Sequence, residues 1–317
     1  MATAGAACVT EEITVRTPDG VTLAAFALMS LLAGLNVVGV RFSNLELPPF
    51  WGAGLRFAVA AGISLVLALA LRGQVPAGRA MAGAVLFGLL ALGSFFAFVY
   101  WALVTVTAGL ASVVLSLVPL VTIILAALLG LERLRWQALT GALVAVGGIA
   151  ILFIGQLSLN VPLAPLLALV GGVFSFAAAN VVAKRLPRID PFWMNTIALG
   201  AGAAMLLLLS GAAGEVWKLP VSATTWIAFG YLVILGSVLL FVLFIFVVRR
   251  WTASGVSYQF VIMPVVAIVA GALLAGESIT AALVLGAAVT ISGVYFGALR
   301  RSSPGATAGR LTTRDTE

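Results

Sequence analysis

One arginine stands inside an otherwise apolar segment, and its position gives it the clearest capacity for chemistry in this chain. Arg56 lies about six residues into the apolar run 50–71. A guanidinium at such a depth can bind a carboxylate through two parallel hydrogen bonds. It can also extend to the polar boundary of the membrane, about 9 Å away at 1.5 Å per residue. The sequence favours this second conformation and keeps carboxylate binding as a candidate role.

Hydroxyl, amide and aromatic side chains in other apolar runs are further candidates for binding. Ser94, Phe98 and Trp101 repeat at i, i+4 and i+7, which places them on one helical face with Tyr100 beside it. The remaining candidates carry a polar group within or beside an apolar run, and they are Asn36, Ser112, Ser116, Asn180, Tyr258 and Gln259. Together these residues predict a cavity with aromatic walls and polar groups. The alternatives are helix packing, hydrogen bonds between helices, and an aromatic belt at the membrane boundary.

Residue types that serve catalysis or metal binding are scarce. The sequence has no histidine and a single cysteine, and Cys8 lies in the polar N-terminal stretch. Glu132 and Glu277 stand at the ends of apolar runs, where a structural role is favoured over proton coupling. No Asp or Glu lies inside a run. These features disfavour an intramembrane enzyme, and we expect neither a cofactor nor a metal site.

Apolar runs make up most of the chain. The sequence is 63% hydrophobic and 9% charged over 317 residues, which leaves too little polar surface for a water-soluble domain. Each run approaches the ~20 residues with which a helix crosses ~30 Å of hydrocarbon. The runs lie at about 21–41, 50–71, 80–101, 107–130, 136–154, 162–184, 192–212, 224–248, 254–275 and 280–299. We therefore predict an all-α integral membrane protein with about ten transmembrane helices.

Basic residues alternate between the loops. One set of loops and run ends carries Arg72, Arg79, Arg133, Arg135, Lys184, Arg185, Arg188, Arg249, Arg250, Arg300 and Arg301. The opposite set holds only Arg41 and Lys218. By the positive-inside rule the first set is cytoplasmic, and so are both termini. This topology accounts for the excess of 17 basic over 10 acidic residues, so we do not expect nucleic acid as a partner.

The second half of the sequence repeats the first. The motif Asn-Val-Val at 36–38 recurs at 180–182, and Pro-Phe-Trp at 49–51 recurs at 191–193. Further matches in one register pair Thr107, Pro119, Glu132, Gly141 and Gly148 with Thr252, Pro264, Glu277, Gly286 and Gly293. Five runs in each copy are an odd number, so the second copy must cross the membrane in the opposite sense. We predict a retained cytoplasmic tail at 1–20, repeats at 21–155 and 156–301, and a disordered cytoplasmic tail at 302–317.

Prolines and glycines also match between the copies. A proline inside a span removes a backbone hydrogen bond, so Pro119 and Pro264 are candidate hinges, with static kinks as the alternative. Gly293 and Gly297 form a small-xxx-small pair, and Gly148 lies in the partner run. We expect these glycines to serve close helix packing.

The runs, their inverted repetition, and the matched prolines followed by Glu132 or Glu277 at a helix end resemble the EamA-type drug/metabolite transporter superfamily. The aromatic-rich third run is similar to that of bacterial aromatic amino acid and metabolite exporters. This resemblance implies a multi-pass exporter of the bacterial plasma membrane. It further implies that spans one, three, four, six, eight and nine surround a central cavity, with spans five and ten supporting them from outside.

The predicted function is secondary transport by alternating access, exporting small amphiphilic metabolites such as neutral or aromatic amino acids. Export of other metabolites or drugs is one alternative. A sugar-phosphate or nucleotide-sugar carrier is another, although it would need more basic residues in the cavity than Arg56. The expected partners are a small-molecule substrate and the lipid bilayer. The sequence is compatible with a monomer or a homodimer, and it decides neither the substrate nor the energy source.

Overall fold

The computed structural model describes residues 19–130, 136–157, 162–186, 189–250 and 259–296. Within these ranges the regular structure is helical throughout. The α-helices are α1 (Gly20–Ser43), α2 (Pro49–Ala70), α3 (Arg79–Gly88), α4 (Phe95–Ala102), α5 (Ala108–Leu115), α6 (Val118–Leu128), α7 (Trp136–Leu157), α8 (Leu163–Arg185), α9 (Pro191–Ala212), α10 (Ala223–Val233), α11 (Leu240–Arg250), α12 (Gln259–Ala275) and α13 (Ala281–Val294). The π-helical turn Leu89–Ser94 joins α3 to α4, and Ile234–Leu239 joins α10 to α11.

Seven helical segments in the described ranges are long and apolar enough to cross a membrane. They are Gly20–Ser43, Pro49–Ala70, Arg79–Ala102, Ala108–Leu128, Leu163–Ala183, Pro191–Ala212 and Ala223–Phe244. Shorter apolar helices occupy Leu139–Gly148, Ile262–Ala275 and Ala281–Val294. The prediction of an all-helical protein with several membrane spans is therefore confirmed. That all ten apolar runs cross the membrane, and that both termini are cytoplasmic, stay predictions.

Several helix starts are set by a capping side chain. An oxygen of each cap accepts a hydrogen bond from a backbone N–H two or three residues further on, which satisfies a donor that the helix itself cannot. The caps are Asp19, Thr107, Asp190, Ser222 and Thr280. Short polar residues of this kind, placed just before apolar runs, fix where the helices begin.

Corresponding helices of the two halves lie against each other and run antiparallel. In the α2–α9 pair, the Asn195 amide donates to the Ser64 hydroxyl at 2.9 Å. Ten residues earlier on α2, Gly54 faces Leu207, which lies twelve residues later on α9. Contacts that advance along one helix while receding along the other require opposite directions. Because α2 and α9 are equivalent in the repeat, the second copy is inverted relative to the first.

The α7–α13 pair repeats this geometry with glycines at the contact. A methyl group on Gly148 would meet Thr290 and the backbone of Gly286, and one on Gly293 would meet the backbone of Ala145 and Gly141. Such close approach of two helix backbones is what small residues permit. These glycines therefore pack helices within one chain, whereas Gly297 lies outside the described residues.

The remaining contacts between the halves come in corresponding pairs. Helix α1 packs on α12 and on α10 and α11, and its equivalent α8 packs on α6 and on α3 and α4. An exchange of the two halves therefore reproduces the contact pattern, as a pseudo-two-fold axis requires. The π turn of each half contacts helices of the other half: Ile234–Leu239 meets α1 and α2, and Leu89–Ser94 meets α8 and α9.

Candidate functional site

Arg56 is buried at the junction of the two halves. Only 1% of the surface of Arg56 is exposed, although the residue lies two turns from the start of α2 at Pro49. The side chain does not extend to the boundary of the span, so the expectation of snorkelling is wrong. The physical reason is that four hydrogen-bond acceptors from three other segments surround the guanidinium and hold it inside the protein.

Four hydrogen bonds hold the guanidinium. Nε donates to the Ser237 hydroxyl at 3.0 Å, and Nη1 donates to the Tyr100 hydroxyl at 3.2 Å. Nη2 donates to Oδ1 of Asn36 at 3.2 Å and to the carbonyl oxygen of Gly236 at 3.0 Å. The four partners belong to α1, to α4 and to the π turn after α10, so the cluster joins both repeats. We call these five residues the Arg56 cluster.

A π turn supplies the acceptors from the second half. The Ser237 hydroxyl donates to the Leu232 carbonyl at 3.0 Å, which leaves its lone pairs for Arg56. The Asn36 amide donates to the Gly236 carbonyl at 3.1 Å, which turns Oδ1 toward the guanidinium. A methyl group on Gly236 would meet the Asn36 amide, so only glycine fits here without displacing it. π turns inside helices are frequent at functional sites.

Aromatic rings cover the guanidinium from its other side. The Arg56 Cζ atom lies 5.0 Å from the ring centroid of Phe57 and 5.4 Å from that of Phe96. Both distances fall within the range of a cation–π attraction. The charge is thus surrounded by neutral acceptors and π faces.

A continuous row of aromatic rings leads from this cluster into the second half. The ring centroids of Phe57 and Phe96 are 4.8 Å apart, and those of Phe96 and Phe95 are 4.9 Å apart. Phe95 then meets Phe176 of α8 at 4.9 Å, and Phe176 meets Phe260 of α12 at 6.4 Å. We call these five rings the aromatic row. Its rings come from both repeats.

Asn36 and Tyr100 are the predicted site residues that the structure brings to Arg56. The stripe of Ser94, Phe98 and Trp101 lies elsewhere. The Ser94 hydroxyl is 3.8 Å from the sulfur of Met205, and Phe98 and Trp101 are 38% and 41% exposed. The face of this span that meets the cluster is instead that of Phe96 and Tyr100.

The serines of α5 are satisfied by their own helix. Ser112 and Ser116 are fully buried and donate to the carbonyls of Gly109 and Val113 at 2.7 Å and 2.6 Å. Helix α5 ends at Leu115, directly before this second serine. These hydroxyls therefore take part in the break between α5 and α6.

The remaining predicted site residues, Asn180, Gln259 and Tyr258, differ in their surroundings. Asn180 donates to the Thr122 hydroxyl at 3.2 Å. Gln259 is half-buried at the start of α12, and Tyr258 lies outside the described residues. Asn36 and Asn180 thus occupy equivalent positions, and among the described contacts it is Asn36 that meets an arginine.

The two matched prolines differ in their effect on the helix. Pro119 is near the start of α6, after the break that separates α6 from α5. Pro264 lies inside the continuous helix α12. Both remove a backbone donor. A role as hinges stays a prediction.

Carboxylates from both halves tie the molecule together at one end. Glu277 accepts from the backbone N–H of Ala108 at 2.8 Å and of Gly109 at 3.3 Å, which caps α5. Its Oε1 lies 3.2 Å from Nη1 of Arg41, and its side chain is 6% exposed. This geometry gives Glu277 a structural role, because its carboxylate joins Arg41 to the start of α5. The matching Glu132 lies outside the described residues. We call this side of the molecule, formed by residues 44–48, 103–107, 213–222 and 276–280, the Glu277 end.

Two further acids at the Glu277 end also bind backbone N–H groups of the opposite half. Glu215 accepts from Phe50 at 3.1 Å and from Trp51 at 2.7 Å, at the start of α2. Glu46 accepts from Val221 at 2.7 Å and from Ser222 at 3.1 Å. Hydrogen bonding by the Ser222 side chain, followed by that of the Val221 backbone, lowers the pKa of Glu46 from 4.5 to about 2.

At the opposite end the described ties are looser. Arg250 and Asp19 approach to 3.9 Å with both side chains more than half exposed, and such a pair contributes little stability. The Trp193 indole donates to the Gly73 carbonyl at 2.9 Å. Among the described residues, the buried charged ties between the halves thus lie at the Glu277 end.

An apolar groove opens at the side of the protein between α3 and α9. Its volume is about 530 Å³, and its lining is Val85, Leu89, Ala201, Ala204, Met205, Leu208, Leu209 and Ala212. The lining offers no side chain for polar recognition, so the groove does not compete with the Arg56 cluster as a site. No group of three His, Cys, Asp or Glu that could hold a metal occurs in the described ranges.

Sequence reasoning missed Ser237, Gly236 and the aromatic row. One signal was present, because the triplet Leu-Gly-Ser at 235–237 repeats Leu-Gly-Ser at 92–94 of the first half. Ser94 was a candidate, and its match in the second copy is Ser237.

Two inverted helical repeats around a buried polar cluster define the class of a multi-pass membrane transporter. The chain belongs to the EamA-like transporter family, whose model matches residues 20–154 and again residues 163–298. It is a multi-pass protein of the bacterial inner membrane.

The relatives include named transporters at modest identity. The chain is 32% identical over 267 residues to the uncharacterized inner membrane transporter YedA of Escherichia coli K12, covering 81% of this chain and 83% of that protein. It is 27% identical to a probable amino-acid metabolite efflux pump of Salmonella typhimurium, covering 84% and 91%. It is 28% identical to a probable terminal-alkyne amino-acid exporter of Streptantibioticus cattleyicolor, covering 83% and 84%.

A solved crystal structure shares the fold. It superposes with a TM-score of 0.64 at 22% identity, covering 89% of this chain and 98% of the other. This likeness extends over nearly the whole architecture.

Proposed function

We propose that this transporter exports small amphiphilic metabolites, chiefly neutral and aromatic amino acids, by alternating access through a site at the Arg56 cluster. The observation that carries the proposal is a buried arginine, with hydrogen-bond partners from both repeats, beside an aromatic row. A polar group with an apolar wall suits a small amphiphile. Relatives named for amino-acid efflux and export support the substrate class.

The conformation favours access from the end opposite to Glu277. The buried tie of Glu277 and the partly buried tie of Glu215 hold the two halves together at the Glu277 end. The arginine-rich loops predict that the opposite end is cytoplasmic. In this orientation the protein is closed toward the outside, as an exporter is when it collects its substrate.

Export then requires the halves to rock until the Glu277 end opens. The ties of Glu277 and Glu215 break, while the antiparallel pairs α2–α9 and α7–α13 keep the repeats in contact. Pro119 and Pro264 lie where α6 and α12 would bend, because each lacks a backbone hydrogen bond. The substrate moves down its own gradient, since the described spans hold no acid near the cluster to carry a coupled proton.

A carrier for sugar phosphates or nucleotide sugars fits the site less well. A phosphate dianion calls for several basic groups. In the described residues Arg56 is the basic side chain that lies deep between the halves, whereas Arg41 lies at the Glu277 end. One positive charge matches one carboxylate.

Counterflow in proteoliposomes tests the proposal. Vesicles loaded with an unlabelled amino acid should accumulate the same labelled amino acid transiently, and a panel of neutral, aromatic, acidic and basic amino acids gives the preference. We expect the highest rates for neutral and aromatic members, unaffected by a pH gradient. Folded protein that gives no counterflow with any member would contradict the proposal.

A further inference from the structure

The positive charge of Arg56 has no counter-ion in the described part of the chain. Ion pairs there join Arg41 to Glu277 and Arg250 to Asp19. The four acceptors around Arg56 are two hydroxyls, an amide oxygen and a backbone carbonyl, all of them neutral. Buried charges are usually paired, and an ionisable residue inside a membrane protein commonly marks a substrate path.

We propose that the substrate supplies the missing anion, and that a carboxylate, without an accompanying ammonium, is what the site recognises. The substrate class is then wider than amino acids, since it includes aromatic monocarboxylates that lack an amino group. The inference rests on the proposed function in placing the Arg56 cluster on the transport path. The carboxylate binds the guanidinium, and the apolar body lies along the aromatic row.

The positions of the four partners indicate which of them a carboxylate replaces. Nη1 and Nη2 donate to the side-chain oxygens of Tyr100 and Asn36, both in the first half. The remaining bonds go to Ser237 and to the carbonyl of Gly236, both in the π turn of the second half. A carboxylate that bridges Nη1 and Nη2 therefore takes the places of the Tyr100 and Asn36 oxygens, in the two-bond geometry that guanidinium prefers. Ser237 and Gly236 keep the arginine in place.

An ammonium finds no matching group near the cluster. The described acids, Asp19, Glu46, Asp190, Glu215 and Glu277, lie in loops or at helix ends. The only charge at the cluster is that of Arg56, which has the same sign as an ammonium and repels it. Removal of the amino group from a substrate therefore removes an unfavourable contact.

Three ligands of similar size distinguish recognition of the carboxylate from recognition of the ammonium. Phenylalanine carries both charges, 3-phenylpropionate lacks the ammonium, and phenylalaninamide lacks the carboxylate. Binding to the purified full-length protein is measured by isothermal titration calorimetry, because 3-phenylpropionate also crosses lipid as the neutral acid. Competition against labelled phenylalanine in counterflow is the second readout.

We expect 3-phenylpropionate to bind at least as tightly as phenylalanine, and phenylalaninamide to bind at least tenfold more weakly. Arg56→Gln should lower the affinity for 3-phenylpropionate at least tenfold and abolish the preference over the amide. Arg79→Gln removes the same charge from an exposed position at the start of α3, so it should change neither affinity.

Equal binding of phenylalanine and its amide would overturn the inference, and so would 3-phenylpropionate binding tenfold more weakly than phenylalanine. These measurements use the unaltered protein, so they test carboxylate recognition even where Arg56→Gln does not fold. Phenylalanine counterflow without the carboxylate preference would contradict this inference and leave the proposed amino-acid export intact. Arg56-dependent binding of 3-phenylpropionate, with no amino-acid counterflow, would support the inference and remove the amino-acid proposal.

Discussion

At the scale of single residues, neutral groups hold the buried charge of Arg56 in place. Gly236 and Ser237 belong to a π turn, and both direct an oxygen at Arg56. Asn36 bonds to the carbonyl of Gly236 and to the guanidinium at once. Each member therefore fixes the orientation of another. A substitution at one residue should therefore alter the hydrogen bonds of the whole cluster.

Gly236→Ala should displace the Asn36 amide, because the added methyl group would meet it. The expected cost is about 1–3 kcal/mol in unfolding free energy, the range for overpacking a well-packed interior. Counterflow should fall together with the melting temperature. Gly230→Ala is the matched control, since nothing lies within 4 Å of the position its methyl group would take. A Gly236→Ala protein as stable and active as this control would argue against the described cluster.

Glu46 gives a prediction about pH. Its pKa is lowered from 4.5 to about 2, so the stability that its ionised form contributes is present above 4.5 and is lost as the pH falls toward 2. The difference in melting temperature between the unaltered protein and Glu46→Gln should stay constant from pH 8 to pH 5 and shrink below that. A difference that vanishes by pH 6 would contradict the tie to Val221 and Ser222.

At the scale of helices, the close packing of helix pairs and the hydrogen bonds at the Glu277 end have separate roles. The pairs α2–α9 and α7–α13 are antiparallel and join the repeats along their length. The acids at the Glu277 end bind helix starts of the opposite half, where carboxylates are favoured by the helix dipole. The first kind of contact can persist during transport, whereas the second must break.

Gly148→Ala should destabilise the protein, because its methyl group would meet Thr290 and the backbone of Gly286. We expect a loss of about 1–3 kcal/mol by thermal unfolding. Gly147→Ala, one residue earlier on α7, meets nothing within 4 Å and should stabilise the helix by about 0.5–1 kcal/mol. An effect of the same sign for both variants would contradict the α7–α13 contact.

Glu277→Gln should loosen the Glu277 end, because it weakens the ion pair with Arg41 and the cap on α5. A cysteine that replaces the fully buried Ser112 reports the opening, once Cys8 has been replaced by alanine. We expect a charged thiol reagent to label this cysteine several times faster in the Glu277→Gln protein. Lys218→Gln, which removes a charge from the same end, should leave the labelling rate unchanged.

The sequence predicted those elements that repeat and missed those that depend on contacts between distant positions. Gly148 and Gly293 were found because both copies carry a glycine there. Arg56 was assigned to the membrane boundary because local spacing cannot show that Ser237, 181 positions later, would supply an acceptor.

The stripe through Ser94, Phe98 and Trp101 was placed by α-helical periodicity. The π turn Leu89–Ser94 adds a residue to this span, which rotates the face beyond it by about 100° at 3.6 residues per turn. The face that meets Arg56 consequently carries Phe96 and Tyr100. Both π turns contain a Leu-Gly-Ser triplet, at 92–94 and at 235–237, but α-helical periodicity alone does not identify that triplet as a π turn.

At the scale of the whole molecule, the central claim is that two inverted repeats move against each other around the Arg56 cluster. Equivalent helices pair antiparallel, and contacts between the halves come in corresponding pairs. Such symmetry makes two conformations of similar energy possible, one closed at each end. The described conformation is the one held shut at the Glu277 end.

A reversible cross-link across the Glu277 end tests this claim most directly. Glu46 and Val221 belong to opposite halves and are joined by a hydrogen bond of 2.7 Å, so both are replaced by cysteine in a chain whose Cys8 is alanine. Phenylalanine counterflow is measured before treatment with a short bifunctional thiosulfonate, after treatment, and after reduction. The account predicts loss of counterflow on cross-linking and recovery on reduction. Counterflow that continues at the original rate through the cross-linked protein would contradict it.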